Sequence, residues 1–348
     1  MDIDVIEKLK NKALKKKGLT VDNALGLFIE GADHPFRVMA AATEIREHFK
    51  GREIILCGIV NAKAGSCPED CSFCAQSSHY ETGAPSYPLK KAAEIMEEAA
   101  HAARNGAELF GIVTSVKIIK AKKEWSEIFK VIDGIGKMGL KPCASLGIID
   151  TQRARDLKAA GLYRYHHNLE TSRSFFPNIC TTHAYEEDVE TVQAAKAAGL
   201  SVCSGGLIGM GEGITHRIEL AETLRKLDVD SIPLNILTPI KGTPLARTPP
   251  LPPLEILMTI AVFRFMLPDR DIKLCGGKEK NLRQLLPLGF LAGANSLMTG
   301  NYLTTDGRAS ILDLEMIADL GLTATREAAP LCTCSTKTKR TCRQAKKK

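Results

Sequence analysis

Residues 54–74, IILCGIVNAKAGSCPEDCSFC, join a strand pattern to a cysteine loop. The first seven residues are mostly β-branched or aliphatic, which favours a buried β-strand. Cys67, Cys71 and Cys74 follow with the spacing CxxxCxxC. In a barrel of alternating strands and helices, the loop after a strand lies on the catalytic face, so we expect the cysteines there.

Strand and helix patterns alternate along the rest of the chain. Further strand patterns lie near 108–114, 142–147, 162–168, 201–206, 231–236, 272–276 and 296–299. Helical patterns occupy 91–104, 123–137, 151–160, 185–198, 214–227, 253–266 and 279–287, and several end in a glycine: Gly106, Gly139, Gly161 and Gly199. Eight such strands predict an α/β fold of the (β/α)8 TIM-barrel type. A doubly wound open sheet is the alternative.

Two extensions flank the predicted barrel, which we place at 51–325. Residues 1–50 predict three helices: about 2–16, a segment after Thr20 as N-cap, and a segment from Pro35 to Gly51. Residues 326–348 form a basic tail that contains Cys332, Cys334 and Cys342.

Composition narrows the class of protein. The chain has 348 residues, of which 44% are hydrophobic. It has no apolar run near the roughly 20 residues that cross a bilayer and no secretory signal, so we expect a cytoplasmic protein without a membrane partner. Its net charge of +7 comes from residues 335–348, which carry seven Lys or Arg and no acid. This pattern favours a solvated tail over a phosphate- or partner-binding arm, and we expect no nucleic-acid partner.

The CxxxCxxC loop itself indicates iron–sulfur chemistry. Eleven cysteines in a chain of this class point to metal or redox roles. A structural zinc site usually has four protein ligands, whereas a [4Fe–4S] cube can take three cysteines and leave one iron open. The open iron can chelate the methionine part of S-adenosylmethionine, which predicts a radical S-adenosylmethionine enzyme. A zinc knuckle or incidental buried thiols are the alternatives.

The motif and its surroundings resemble the biotin synthase family. The matching stretches run in order through about 50–325 and lie at 61–77, 165–172, 202–212, 232–236, 241–245 and 292–296. The resemblance implies insertion of sulfur between C6 and C9 of dethiobiotin, with each C–H bond broken by a deoxyadenosyl radical. It also implies an electron donor such as flavodoxin or ferredoxin, and a homodimer.

The family holds a second, auxiliary cluster inside the barrel on three cysteines and an arginine. Cys143 and Cys203 match two of these cysteines. The third falls on Gly111, which cannot ligate, and the arginine falls on Lys273, a poor ligand while protonated. The usual [2Fe–2S] site therefore cannot form in its standard way.

Two additional cysteines offer a replacement. Cys57 and Cys275 lie on the first and seventh predicted strands, and residues on alternate strands of a barrel share layers. We expect an auxiliary cluster of four-iron type on Cys143, Cys203 and one or both of them. Ordinary buried thiols are the alternative. For Cys332, Cys334 and Cys342 in the tail, two interpretations remain open. They form a third metal site or relay sulfur or electrons, or they are exposed thiols.

Four further positions carry roles implied by the resemblance. They are Phe73 beside the adenine, Asn168 and Glu170 at the ribose and substrate, and Asn235 at the ureido ring of dethiobiotin. For Asn168 and Glu170, a strand-end cap is the simpler interpretation. Asp188 stands where many relatives have an arginine near the methionine carboxylate, and we expect Arg173 to supply that charge.

Some residues remain ambiguous from sequence. Gly205 and Gly206 allow close approach of a ligand or tight packing. His166 and His167 favour strand-end hydrogen bonds over metal ligation. Cys180 has no partner in sequence, and we interpret it as structural.

Two other functions compete with sulfur insertion. A related radical enzyme, such as a hydrogenase-cofactor maturase or a methylornithine synthase, generally lacks paired barrel cysteines like Cys143 and Cys203. An iron–sulfur carrier needs neither a substrate barrel nor Asn168, Glu170 and Asn235.

Overall fold

The strands of the chain form one parallel sheet that closes on itself. The computed structural model describes residues 3–326 and residue 328; the tail cysteines Cys332, Cys334 and Cys342 lie outside the described residues. The strands are β1 (Glu53–Lys63), β2 (Leu109–Thr114), β3 (Lys141–Ser145), β4 (Arg164–His166), β5 (Ser201–Cys203), β6 (Gly206–Ile208), β7 (Ser231–Ile236), β8 (Asp271–Leu274), β9 (Ser296–Met298) and β10 (Thr323–Ala324).

Helices cover the outside of this sheet. They are α1 (Ile3–Leu14), α2 (Val21–Gly31), α3 (Pro35–Lys50), α4 (Ala92–Arg104), α5 (Lys122–Lys137), α6 (Thr151–Ala159), α7 (Tyr185–Ala197), α8 (Ile214–Lys226), α9 (Pro253–Met266), α10 (Lys278–Leu282), α11 (Leu288–Leu291) and α12 (Ser310–Asp319). Short 3₁₀ helices lie at Phe176–Asn178 and Arg283–Leu285. Among the described helices, none has the length and apolar character needed to span a membrane.

Closure of the sheet confirms the predicted TIM-type barrel. The strands pair in the order β1-β2-β3-β4-β5-β7-β8-β9, and β9 returns to β1 with Ile55 opposite Ser296. β6 follows β5 after a two-residue break and pairs with β7, so the two short strands together fill one position in the barrel wall. β10 lies outside the barrel, where it pairs with the start of β1.

The local signals that end the helices behave as the sequence predicts. Gly106, Gly139, Gly161 and Gly199 all have positive φ and follow directly on helix ends. Only glycine adopts this conformation at little cost, so each turns the chain back toward the next strand. At the other end of α2, the Thr20 side chain accepts a hydrogen bond from the Asn23 N–H, which confirms Thr20 as the N-cap.

The N-terminal helices cover an outer helix of the barrel. Every residue of α9 from Ile256 to Met266 is buried, so its outer face needs a second layer over it. Helices α1, α2 and α3 pack against α9, and the Leu19 N–H donates to the Phe265 carbonyl at 3.2 Å. Residues 1–50 therefore include helices that complete the hydrophobic core.

Gly205 and Gly206 pack backbone against backbone between β5 and β6. A Cβ on Gly205 would lie 2.1 Å from the carbonyl oxygen of Pro233, and one on Gly206 would lie 2.3 Å from that of Glu170. Both contacts are with main-chain atoms, which cannot rotate away. The structure therefore explains the pair by tight packing.

We predict that Gly205→Ala lowers the midpoint of thermal unfolding, because overpacking of this kind costs about 1–3 kcal/mol. Gly136→Ala is a matched control. Gly136 lies on an exposed position of α5, where a Cβ would meet nothing within 4 Å, so alanine should raise the midpoint slightly through its higher helix propensity. Circular dichroism under anaerobic conditions measures both shifts. Equal midpoints for Gly205→Ala and the unchanged chain would contradict the packing argument.

Candidate active site

The interior of the barrel contains a cavity of about 340 Å³, within the range of small-molecule sites. Its walls come from alternate residues of the strands, because successive side chains point to opposite faces of a sheet. Residues from all of the strands β1 to β9 contribute. The polar and thiol groups of the lining include Cys57, Cys143, Ser145, Arg164, His166, Asn168, Glu170, Cys203, Asn235, Lys273, Cys275 and Tyr302.

The cysteine loop lies beyond the carboxyl end of β1, as the sequence predicts for the catalytic face. Two main-chain hydrogen bonds fix its start: the Cys67 N–H donates to Gln76 O at 3.0 Å, and the Ser78 N–H donates to Cys67 O at 2.8 Å. Cys67, Cys71 and Cys74 are free thiols of intermediate exposure. Burial raises the pKa of Cys74 to about 11, so its thiolate forms readily only beside a positive metal centre.

Four more thiols line the cavity inside the barrel. Cys57 and Cys143 pack together around Leu109, and Cys203 and Cys275 face the same space. All four cysteines are at most 5% exposed. Gly111 lies opposite Cys143 in the β2–β3 register, where a Cβ on residue 111 would lie 3.9 Å from the Cβ of Cys143. The structure thus brings together the four cysteines that the sequence singled out for the auxiliary site.

Two buried cations stand beside these thiols. Lys273 is 4% exposed, and its Nζ lies 3.7 Å from Cys203 Sγ. Burial by itself would lower the pKa of Lys273, but the surrounding thiols outweigh it and raise the pKa, so the side chain stays an ammonium. Burial would likewise raise the pKa of Cys203, yet Lys273 and His166 lower it to about 6. Lys273 therefore favours an anionic sulfur at Cys203.

Arg164 is the second cation, and it was not predicted from the sequence as a site residue. Its Nε donates to Ser201 Oγ at 2.9 Å, and its Nη2 lies 3.5 Å from Asp271 Oδ2. Arg164 stands opposite Cys143 in the β3–β4 register and lines the cavity. No local pattern marks it, because its relevance depends on which strand neighbours it.

The residues carried over from the resemblance lie around the same cavity. Phe73, Asn168, Glu170 and Asn235 all line it. Asn168 Oδ1 accepts from the Gly205 N–H at 3.2 Å, and its Nδ2 donates to Glu170 Oε2 at 3.3 Å. Asn235 Oδ1 accepts from the Gly276 N–H at 3.0 Å. Each amide is therefore oriented by the backbone of an adjacent strand end.

Arg173 is not brought to this site, which corrects the expectation that it supplies a charge there. It is exposed and forms an ion pair with Glu186 on the surface, with its guanidinium 5.1 Å from the centre of the Tyr185 ring. Surface partners at the start of α7 hold the side chain away from the cavity.

Asp188 is buried, and two histidines hold it. Its carboxylate accepts from His167 Nε2 at 2.8 Å and from His183 Nε2 at 3.3 Å. These contacts lower the pKa of Asp188 although burial opposes them. His167 therefore makes the strand-end hydrogen bond expected of it.

Cys180 has partners that the sequence did not reveal. Its sulfur lies 3.9 Å from Cys71 Sγ and 3.2 Å from His183 Nδ1. The interpretation of Cys180 as purely structural is incomplete, because it contacts the cysteine loop directly. The spacing Cys180-Thr-Thr-His183 was the available signal, but Cys71 is 109 residues away.

Known protein families match both halves of the barrel. Residues 63–224 match the Radical SAM superfamily, and residues 233–323 match the Biotin and Thiamin Synthesis associated domain. The first region contains the cysteine loop, and the second contains Asn235, Lys273 and Cys275. The first match ends within α8, and the second begins within β7.

Solved structures share the fold at low sequence identity. A methylornithine synthase aligns with a TM-score of 0.78 at 22% identity, covering 91% of this chain and 97% of its own. A maturase of the [FeFe]-hydrogenase aligns with a TM-score of 0.78 at 16% identity, covering 93% and 76%. At such low identity, these similarities establish the barrel fold but not the reaction or the substrate.

Curated sequences are much more similar. The biotin synthase of Geobacter sulfurreducens is 52% identical over 323 residues, which cover 92% of this chain and 98% of that protein. The biotin synthase of Pelotomaculum thermopropionicum is 52% identical over 310 residues, covering 88% and 96%. With identity at this level along almost the whole length of both proteins, the chain belongs to the biotin synthase family.

Proposed function

We propose that this chain catalyses the insertion of sulfur between C6 and C9 of dethiobiotin, using S-adenosylmethionine. The single observation that carries the proposal is the shared cavity. The loop with three cysteines contributes Phe73 to its lining, and four buried cysteines line its interior. Radical generation and sulfur donation require two metal centres near one substrate, and this barrel offers a ligand set for each.

Cys67, Cys71 and Cys74 would hold the cluster that binds S-adenosylmethionine. Their thiols fit a [4Fe–4S] cube because three sulfur ligands come from eight residues of one loop, with no fourth cysteine in that loop. When bound, the cluster and S-adenosylmethionine supply the one-electron chemistry that breaks unreactive C–H bonds. Phe73 offers an aromatic face at the cavity for an adenine.

Asn168 and Glu170 would bind the ribose. A carboxylate can accept from both hydroxyls of a diol, and the Asn168 amide supplies a further polar group beside it. Glu170 is held in a strained backbone conformation, with φ of 59°, which aims its side chain into the cavity. Loss of hydration at the cavity wall raises the pKa of Glu170 to about 7.

Asn235 would orient the ureido ring of dethiobiotin. Its Oδ1 already accepts one hydrogen bond from Gly276, and an amide oxygen has a second acceptor position. Its Nδ2 lies 3.4 Å from the Gly206 carbonyl, a long contact that leaves donor capacity for a ligand. The Asn235 amide can therefore accept a hydrogen bond from a ureido N–H and donate one to the ureido carbonyl.

The interior thiols support an auxiliary cluster of four-iron type. The departures Gly111 and Lys273 remove two ligands of the usual site, and Cys57 and Cys275 bring the cavity to four thiols. Lys273 is a buried ammonium, and its Nζ lies beside Cys203 Sγ. A buried cation is costly unless anions surround it. Metal-bound thiolates would provide that negative charge.

Other enzymes of this fold are less well supported. The likeness to methylornithine synthase and to the hydrogenase maturase is one of fold alone. The resemblance that favours sulfur insertion also supports a flavodoxin or ferredoxin as electron donor and a homodimeric assembly, and both belong to the proposal.

Changing Cys67, Cys71 or Cys74 to alanine should abolish formation of 5′-deoxyadenosine. Each change removes one of only three protein ligands of the open-iron cluster. Product is measured by mass spectrometry after anaerobic incubation with S-adenosylmethionine and a reductant. Ser72→Ala is the control within the same loop, since Ser72 Oγ has no hydrogen-bond partner among the described residues and offers no metal ligand. Near-native product from any of the three cysteine variants would refute the assignment.

As pH rises, the unchanged chain should lose stability that the Glu170→Gln variant keeps. The ordinary pKa of this carboxyl is 4.5, and in the fold it is about 7. The folded protein therefore retains a proton that the unfolded chain releases, so the unchanged chain loses stability from about pH 4.5 up to about pH 7. The glutamine variant carries no charge and escapes that loss.

Thermal midpoints of both proteins between about pH 5 and pH 8 test this sign. The difference should grow up to about pH 7 and then level off. Glu187→Gln is the matched control, because the Ala184 N–H lowers the pKa of Glu187 and its difference should stay flat over this range. A flat profile for Glu170→Gln would show that its carboxylate is not desolvated.

The reconstituted protein should bind about eight irons per chain, a count that follows from two four-iron clusters. A variant lacking Cys67, Cys71 and Cys74 should keep one cluster, and its Mössbauer spectrum should be of four-iron rather than [2Fe–2S] type. Further replacement of Cys143 and Cys203 should remove the remaining iron. Replacement of Cys332, Cys334 and Cys342 should leave it. If the tail cysteines prove necessary and the barrel cysteines dispensable, the auxiliary site is wrongly placed.

A further inference from the structure

The cysteine loop is fastened to a second segment, residues 179–183, which follows β4 and precedes α7. The Asp70 carboxylate accepts from the Thr181 N–H at 2.8 Å and from the Thr182 N–H at 3.3 Å. The Ser72 N–H donates to the Ile179 carbonyl at 2.8 Å. Side chains from the two segments therefore occupy fixed positions relative to each other.

At this junction, three metal-binding side chains converge. Glu69 comes from the cysteine loop, and Cys180 and His183 come from the second segment. His183 Nδ1 lies 2.5 Å from Glu69 Oε2 and 3.2 Å from Cys180 Sγ, and the three ligand atoms lie within 4.8 Å of one another. Glu69 is 8% exposed and Cys180 is 4% exposed, so protein contacts rather than water surround both side chains.

The donor set is that of a mononuclear zinc site. One imidazole nitrogen, one thiolate and one carboxylate oxygen are all accepted zinc ligands, and three protein ligands with a water in fourth place is a common arrangement. Ligand atoms of a tetrahedral zinc ion lie about 3.3–3.6 Å apart, because zinc–ligand distances are about 2.0–2.3 Å. The 3.2 Å between His183 Nδ1 and Cys180 Sγ is close to this spacing, whereas Glu69 Oε2 must move about 0.8 Å away from His183 Nδ1, a shift open to a flexible side chain.

A second shell stands behind the histidine. His183 Nε2 lies 3.3 Å from Asp188 Oδ2, and the other oxygen of Asp188 accepts from His167 at 2.8 Å. A carboxylate that binds the distal ring nitrogen fixes the tautomer of a ligating histidine and leaves the near nitrogen free for metal. Here the near nitrogen, Nδ1, is the one that faces Glu69 and Cys180.

We propose that Glu69, Cys180 and His183 bind one zinc ion, which joins the cysteine loop to the segment before α7. In this pocket, His183 and His167 already pair with the carboxylates of Glu69 and Asp188, and the ion takes the place of the hydrogen bond between His183 Nδ1 and Glu69 Oε2. The ion holds the loop that carries Cys67, Cys71 and Cys74 in place. Its three ligands belong to neither iron–sulfur set, but Cys180 Sγ lies only 3.9 Å from Cys71 Sγ, so the two sites adjoin. With three protein ligands, the ion keeps its fourth position for a water. None of the three ligands is among the residues that line the cavity.

Zinc K-edge absorption of the full-length, cluster-loaded chain tests the proposal without interference from iron. Cys332, Cys334 and Cys342 are first changed to alanine, so that the tail cannot contribute sulfur ligands. After desalting, we expect about one zinc per chain, coordinated by one sulfur and otherwise by nitrogen and oxygen. No zinc after incubation with zinc chloride, or a coordination shell of three or four sulfurs, would overturn the proposal.

Variants connect the metal to the named residues. Cys180→Ala and His183→Gln should lose zinc, and Asp188→Asn should weaken zinc binding about 10- to 100-fold in competition with a chelator. His79→Gln is the matched control, because His79 lies close to the loop but has its Nε2 at the Pro68 carbonyl, 2.9 Å away. Zinc retained by both Cys180→Ala and His183→Gln would place the ion elsewhere and refute the site.

Discussion

Pairing of the first and last barrel strands determines where the chemistry of this protein can occur. Ile55, Leu56 and Cys57 of β1 stand opposite Ser296, Leu297 and Met298 of β9, and Ser296 Oγ also donates to the Ile55 carbonyl at 2.9 Å. Once these strands pair, every second side chain of the wall faces one interior. Thiols from strands far apart in sequence then share a single cavity. In an open sheet, the first and last strands would lie at opposite edges.

Closure also creates an electrostatic constraint. Lys273 and Arg164 lie in the interior at 4% and 5% exposure, and burying a cation costs several kcal/mol unless anions surround it. Asp271 offers one carboxylate oxygen to Arg164, and the sulfur of Cys203, which Lys273 favours as a thiolate, lies beside Lys273. Metal-bound thiolates at the proposed interior site would supply further negative charge. If the proposed interior cluster forms, its assembly and the stability of the barrel are coupled through these two cations.

Local patterns were enough to predict most of the architecture. The strand at 54–60, the cysteine loop and the left-handed glycines depend on short-range chemistry, and all lie where the sequence placed them. β6 and β10 were not predicted. β6 begins at Gly206, at the end of the run assigned to the fifth strand, and β10 has only two residues. Arg173 was wrongly brought to the site, because the direction of its side chain depends on Glu186 and Tyr185. The contact of Cys180 with Cys71 likewise arises only after the barrel brings the loop that follows β1 beside the segment that follows β4.

The Gly205–Gly206 backbone connects the residues that line the two sides of the cavity. Its N–H at Gly205 donates to Asn168 Oδ1, its carbonyl at Gly206 faces Asn235 Nδ2, and the absent side chain of Gly206 lets Glu170 pair with it. Asn168, Glu170 and Asn235, which are proposed to recognise the ribose and the ureido ring, are therefore all positioned by the same backbone segment. A displacement of this segment by half an ångström would move all of them together, whereas loss of one side chain would leave the others aligned. Because reacting groups must be held within about that tolerance, the packing of two glycines is as important to the proposed chemistry as the side chains themselves.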